Sequence, residues 1–155
     1  MTFRIRALAP EPFAGLFSLT DRELAARNAC RMTATAKPGT PCRVSLEDAE
    51  PGETVLLVNY CHLPEETPYR ASHAIFVREG VAEARPEPGE IPQLFLHRML
   101  SVRSFDDRHM MAGAALAGGR DLAPAITEAF GDARIRYLHL HYAGPGCFAA
   151  SVERA

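Results

Sequence analysis

The C-terminal stretch of the chain, residues 135–153, constrains the fold more than any other part of the sequence. It reads as two strands joined by a tight loop of glycine and proline at residues 143–146. The first strand alternates between two sets of side chains, with Leu138, Leu140 and Tyr142 in one and Tyr137, His139 and His141 in the other. Because successive strand residues point to opposite faces, we expect one face to join the core and the other to carry groups capable of chemistry.

The rest of the sequence mixes further strand patterns with short helices. Strand patterns occur at residues 3–8, 32–36, 54–62, the later part of 69–77, 102–105 and 110–116. Helices are indicated by a capping box from Thr20 to Glu23, by the apolar stripe Ile91, Leu94, Phe95 and Met99 around Pro92, and by residues 121–131. Strands and helices do not alternate regularly, and most connections are of hairpin size. The sequence therefore predicts an α+β fold, a single compact domain over residues 1–155 with a mainly antiparallel sheet and about three short helices.

Charge and composition exclude several classes of partner. Seventeen basic and nineteen acidic residues give a net charge of -2 with the signs interspersed, which disfavours binding to nucleic acid. The sequence has no apolar run of the roughly 20 residues that a membrane helix needs, and its N-terminus lacks the pattern of a secretory signal. The four cysteines form no Cys-x-x-Cys pair. We expect a cytoplasmic protein with reduced thiols and no membrane partner.

Three segments together suggest a family. They are CRVSLEDA at residues 42–49, YRASHAIFV at 69–77 and HLHYAGPGC at 139–147, and in this order they resemble the bacterial family called domain of unknown function 1203. The resemblance covers essentially the whole chain. It implies a compact bacterial domain and brings no established activity or catalytic residue. Tyr142 stands where we expect an asparagine after the second histidine, so any role of that position in the family does not carry over.

The His-x-His pair at residues 139–141 is the first candidate for chemistry. His139 and His141 share one strand face about 7 Å apart, a spacing from which two imidazoles bind one metal ion in many zinc sites. His62 or Cys147 could supply a third ligand. The alternative is a pair of ordinary strand histidines that hydrogen-bond to neighbouring groups.

Cys147 is the second candidate. It follows a Gly-Pro-Gly loop whose backbone N–H groups could form an anion nest, and His139 or His141 on the adjoining strand could activate its thiol as a nucleophile. These three residues form the predicted catalytic set. The alternative is a small buried side chain that begins a core strand, because free cysteine is among the most buried residue types.

A third set of residues could bind a small anion. Arg43 and Arg70 could present guanidinium groups to a carboxylate or phosphate. The full predicted ligand-binding set is Cys42, Arg43, Tyr60, His62, Tyr69, Arg70 and Ser72. The alternative is structural salt bridges, for example from these arginines to Glu47 or Asp48.

Three classes of function follow from these candidates. The leading one is a pocket for a small anionic molecule, with or without catalysis and with no bound cofactor. We expect the residues of the catalytic and ligand-binding sets to converge at this pocket. The second is a zinc-binding protein that uses His139 and His141; the scarcity of clustered carboxylates disfavours calcium and magnesium. The third is a non-catalytic interaction domain, for which a homodimer is the simplest assembly.

Overall fold

The computed structural model describes residues 2–155, which form eight strands and three short α-helices. The strands are β1 (Phe3–Arg6), β2 (Ala29–Thr33), β3 (Thr54–Leu63), β4 (Ala71–Arg78), β5 (Met99–Phe105), β6 (Met111–Gly118), β7 (Tyr137–Tyr142) and β8 (Phe148–Arg154). The helices are α1 (Glu11–Ala14), α2 (Asp21–Ala25) and α3 (Leu122–Ala129). Single turns of 3-10 helix lie at Gly15–Ser18, Gln93–Phe95 and Gly119–Asp121. The predicted α+β class is confirmed.

The strands form two antiparallel sheets. The larger sheet has the order β1-β8-β7-β5-β6, and the smaller has the order β2-β3-β4. Every strand pair in both sheets is antiparallel, as the hairpin-sized connections predict. The apolar strand β3 is the central strand of the smaller sheet.

Each sheet contributes to its own hydrophobic core. In the larger sheet, Leu138 and Leu140 of β7 are fully buried in a cluster that includes Leu122 and Ile126 of α3. In the smaller sheet, Leu56 packs in a cluster with residues of α1 and α2, among others. The opposite face of β7 carries His139 and His141, and these side chains are buried as well. Both faces of β7 are therefore covered, whereas the alternation alone suggested a core on one face.

The predicted helices have different outcomes. The capping box is confirmed: the Thr20 side chain accepts a hydrogen bond from the Glu23 N–H, the Glu23 carboxylate accepts one from the Thr20 N–H, and α2 follows. The helix expected after Pro92 is wrong. Only a 3-10 turn forms there, and Met99 already belongs to β5, because Arg98 turns inward to pair with Asp48 and the chain then enters the sheet.

Within residues 2–155, no helix has the length and apolar character that crossing a membrane requires. The longest helix, α3, has eight residues.

Candidate functional site

Four histidines from three strands meet where the two sheets approach each other. His62 lies at the end of β3, His73 lies on β4, and His139 and His141 lie on β7. The β3–β4 register pairs His73 with Tyr60, and an irregularity between Cys61 and Leu63 leaves His62 outside the regular pairing. We call His62, His73, His139 and His141 the histidine cluster.

Ring nitrogens of the histidine cluster lie within hydrogen-bonding range of one another. Nδ1 of His73 is 2.8 Å from Nε2 of His62, and Nδ1 of His62 is 3.3 Å from Nδ1 of His139. A neutral imidazole has one N–H and one lone pair. His62 therefore donates to one of these neighbours and accepts from the other.

His141 is held differently from its neighbours. Its Nδ1 lies 3.0 Å from the carbonyl oxygen of Gly146 in the loop that follows β7. A carbonyl oxygen only accepts, so Nδ1 carries the proton and Nε2 keeps a free lone pair. This Nε2 atom is buried and has no hydrogen-bond partner among the described residues. A buried acceptor without a partner is rare and calls for an explanation.

The environment keeps the cluster neutral near pH 7. Burial, with smaller contributions from neighbouring histidines and from the positive charge of Arg103, lowers the pKa of His139 and of His141 to about 3 and that of His62 to about 4. Burial also lowers the pKa of His73, with smaller contributions from Arg103 and Arg43. Neutral imidazole is the form of histidine that binds metal ions.

Three members of the cluster can reach one ion. His62, His73 and His141 each present a ligand nitrogen, and these nitrogens all lie within 4.8 Å of one another. His139 is outside this group of three but contacts it through His62. Aromatic rings also pack against the cluster: Phe148 stacks on His62 and meets His139 edge to face.

Arg43 and Cys147 form a separate arrangement. The guanidinium of Arg43 is buried and donates to the carbonyl oxygens of Phe148 and Pro41 and to Sγ of Cys147, which lies 3.1 Å from Nη2. The polar contact of Cys147 is thus with an arginine, whereas we expected a histidine. The predicted anion nest is also incomplete, because the Gly146 N–H donates to the carbonyl oxygen of Tyr142.

An open groove of about 1000 Å³ lies beside this arrangement. Arg43, Tyr142 and Cys147 line it, whereas no member of the histidine cluster does. The cations in its wall are already engaged: Arg98 pairs with Asp48, and the Tyr142 ring lies against the guanidinium groups of both Arg43 and Arg98. The residues expected to share one pocket are therefore divided between this groove and the histidine cluster.

The other predicted binding residues lie apart from these two places or play a structural part. Cys42 is fully buried, and its sulfur accepts the N–H groups of Val44, Ser45 and Arg78. Tyr60 packs between Phe13 and Phe148. Arg70 and Ser72 are exposed, and the partly exposed Tyr69 packs edge-on against Phe105. The acids proposed as salt-bridge partners pair with other arginines, Glu47 with Arg78 and Asp48 with Arg98.

Two residues of this site were missed from the sequence. His73 lies inside a segment that we singled out, but only the β3–β4 register brings it to His62. Arg103 carried no sequence signal, because its neighbours on β5 gave only a strand pattern. In the structure it pairs directly with His139 on the adjacent strand β7.

The fold and the site together define a compact α+β protein with a partly buried multi-histidine cluster between two antiparallel sheets. The chain belongs to the family described as protein of unknown function (DUF1203), whose model matches residues 39–154. This confirms the resemblance drawn from the three segments, and the matched range contains the whole histidine cluster and Arg103. No curated protein and no solved structure gives a significant match.

Proposed function

We propose that this protein binds a divalent transition metal ion, with zinc as the first choice, through His62, His73 and His141. The observation that carries the proposal is the buried lone pair on Nε2 of His141. Leaving a buried polar group unsatisfied costs about 1–3 kcal/mol. A bound metal ion would satisfy this atom and would recruit the two histidine nitrogens close to it.

The orientation of the ligands supports the proposal. Histidines that bind metal ions almost always donate their other ring N–H to a carbonyl, carboxylate or water, which fixes the tautomer and the ring. His141 makes this bond to the Gly146 carbonyl. His139 can do the same for His62, because a proton on Nδ1 of His62 that points at Nδ1 of His139 leaves the lone pair of His62 on Nε2. In the metal-free protein this lone pair accepts from Nδ1 of His73, and a bound metal ion would replace that hydrogen bond.

The chemistry of the ligands favours zinc over harder ions. Zinc takes imidazole nitrogen readily, whereas calcium and magnesium require oxygen ligands, and none of the three residues is a carboxylate. In a tetrahedral zinc site, nitrogens bound at about 2.0–2.1 Å lie about 3.3 Å apart. Nδ1 of His73 and Nε2 of His62 are 2.8 Å apart, and the ligand nitrogens of the three histidines lie within 4.8 Å of one another, so their spacing brackets that value.

Three protein ligands would leave a fourth coordination position open. Structural zinc sites are usually closed by four protein ligands, whereas catalytic sites keep one position for water or substrate. Zinc in such a site lowers the pKa of its bound water to about 7 and polarises carbonyl groups. The site therefore supports an enzyme that hydrolyses or hydrates a small substrate.

The test is metal analysis of protein purified without an affinity tag. We expect about one equivalent of bound zinc and an increase in the melting temperature when zinc is added to metal-free protein. His141→Ala and His73→Ala should each lose zinc while still melting cooperatively. The matched control is His97→Ala, which removes an exposed histidine outside the cluster and should keep zinc.

One result would contradict the proposal. Wild-type protein that holds less than about a tenth of an equivalent of zinc, and whose melting temperature does not rise with added zinc, has no such site.

We also propose a cytoplasmic location, as the sequence predicts. All four cysteines are free thiols in the described chain, and free thiols are typical of a reducing compartment. Homodimerisation and a bacterial source stay predictions.

A further inference from the structure

We propose that Arg103 holds a small oxyanion, with a carboxylate as its simplest form, against the metal ion at the histidine cluster. This inference rests on the metal site proposed above and names the class of ligand for its open position. The sequence suggested that Arg43 or Arg70 would bind a small anion. The inference assigns that role to Arg103 instead.

The strand register places Arg103 beside the cluster. On the adjacent antiparallel strands β5 and β7, Arg103 pairs with His139 and Ser101 pairs with His141. Directly paired residues lie on the same face with Cβ atoms about 4.5–5.5 Å apart. Arg103 therefore emerges on the face of the sheet that carries both histidines. On β6, the second strand adjacent to β5, Arg103 pairs with Ala114, whose small side chain leaves the guanidinium partly exposed.

The guanidinium of Arg103 has N–H groups that make no described hydrogen bond. Its described hydrogen bond runs from Nε to Oγ of Ser101, at a long 3.3 Å. Within residues 2–155 no carboxylate pairs with it, whereas the largely buried Arg78 and Arg98 both have acidic partners. Burial lowers the pKa of Arg103, and no described acidic group offsets this effect. Both Nη atoms remain available to a ligand.

Charge balance determines which ligand fits. The histidines are neutral and add no negative charge, so a divalent ion beside Arg103 would give the site a large positive charge. An oxyanion between the ion and the guanidinium compensates both. One of its oxygens would take the open coordination position, and the other would accept from the planar N–H fork of the arginine, which matches carboxylate geometry.

The test uses cobalt(II) in place of zinc, because the visible absorption of cobalt changes when an anion enters its coordination sphere. Acetate is titrated into the cobalt-loaded wild-type protein and into Arg103→Gln, with phosphate in a second series and chloride at equal ionic strength as the control. Losing charge-assisted hydrogen bonds should weaken acetate binding by about 10-fold or more in Arg103→Gln. Cobalt binding should be equal or tighter, because a repelling charge is gone.

Two further variants keep the test decisive. Arg103→Lys retains the charge without the fork and should bind acetate with intermediate affinity. Arg85→Gln removes an arginine with an 82% exposed side chain and should behave as wild type. A weaker response to phosphate in Arg103→Gln would extend the ligand class to phosphate and support the inference.

The outcomes separate the two proposals. If the wild-type protein binds no cobalt, the metal site is wrong and the inference falls with it. If it binds cobalt but acetate does not change the spectrum, or changes it equally in Arg103→Gln or with chloride, the metal site stands and the role of Arg103 is overturned.

Discussion

His62 stacks on Phe148 across the junction between the two sheets, with ring centroids 5.1 Å apart and planes inclined by only 8°. His62 belongs to β3 of the smaller sheet and Phe148 to β8 of the larger one. The same ring of Phe148 meets His139 and His141 edge to face. One buried aromatic side chain therefore joins the two sheets and fixes the plane of a proposed metal ligand.

Replacing Phe148 should destabilise the fold and loosen His62. Phe148→Ala creates a cavity between the sheets, and we expect the free energy of unfolding to fall by about 3–5 kcal/mol. Phe148→Leu fills much of that space but loses the stacking, so its loss should be smaller, with about 0.5–1.5 kcal/mol due to the ring contacts. Urea unfolding of both variants measures the difference. A loss below about 0.5 kcal/mol in Phe148→Leu would show that the stacking contributes nothing.

Arg43 should prove structural. Its guanidinium donates to the carbonyl oxygens of Phe148 and Pro41, at 2.8 Å and 2.6 Å. Arg43→Met retains the apolar stem but leaves these oxygens without their donors, so we expect a loss of about 2–5 kcal/mol in the free energy of unfolding. Arg108→Met, at an exposed position, should change it by less than about 0.5 kcal/mol. A loss below about 1 kcal/mol in Arg43→Met would contradict the structural role.

Metal-free protein should lose stability on mild acidification. In the unfolded chain a histidine has a pKa of about 6.5, whereas in the folded protein the pKa is about 4 for His62 and about 3 for His139 and His141. Between these values the unfolded state binds more protons, so the free energy of unfolding falls as the pH decreases from about 6.5 towards 4. The nearby positive charge of Arg103 strengthens the effect, and no acidic residue contributes to these pKa shifts.

The measurement is the urea midpoint between pH 7 and pH 4.5 in the presence of a chelator. Substituting His139 with glutamine removes one of the groups that take up a proton on unfolding, so His139→Gln should show a shallower dependence on pH. The exposed His97→Ala should follow the wild-type curve. A flat profile in the wild-type protein would contradict the buried, neutral state of the cluster.

Most of the fold could be predicted from the sequence because its signals are local. Alternating side chains marked the two C-terminal strands, and the reciprocal hydrogen bonds of Thr20 and Glu23 follow from their spacing alone. The helix predicted after Pro92 does not form, and the reason is non-local. Its apolar spacing suits a helix, but the ion pair from Arg98 to Asp48, 50 residues away, draws the chain towards the sheet after one turn.

The site was predicted only in part, because its geometry depends on pairing between distant strands. His62, His139 and His141 were candidates from the sequence, and all three belong to the cluster. His73 comes to His62 through the irregular β3–β4 register, and Arg103 comes to His139 through the β5–β7 register. Neither register can be read from one sequence, since a shift of a single residue moves every side chain to the other face.

A substitution at Gly146 tests the metal site separately from the stability of the fold. Its φ is +80°, a conformation that other residues rarely adopt, and its carbonyl oxygen accepts the Nδ1 proton of His141. A Cβ at this position would meet nothing within 4 Å, so the penalty of Gly146→Ala is confined to the backbone. Relief of that strain should turn the carbonyl away from His141. Removing such an orienting partner typically lowers metal affinity by about 10–100-fold.

Gly144→Ala is the matched control, because Gly144 lies in the same loop, has equally free space and is outside the left-handed region. We expect Gly144→Ala to bind zinc as the wild type does and Gly146→Ala to bind it at least about 10-fold more weakly, measured by competition with a chromogenic chelator. Urea unfolding of the metal-free variants gives the backbone cost separately, about 1–3 kcal/mol for Gly146→Ala. If Gly146→Ala loses this stability yet binds zinc as tightly as Gly144→Ala, the Gly146 carbonyl does not orient a metal ligand.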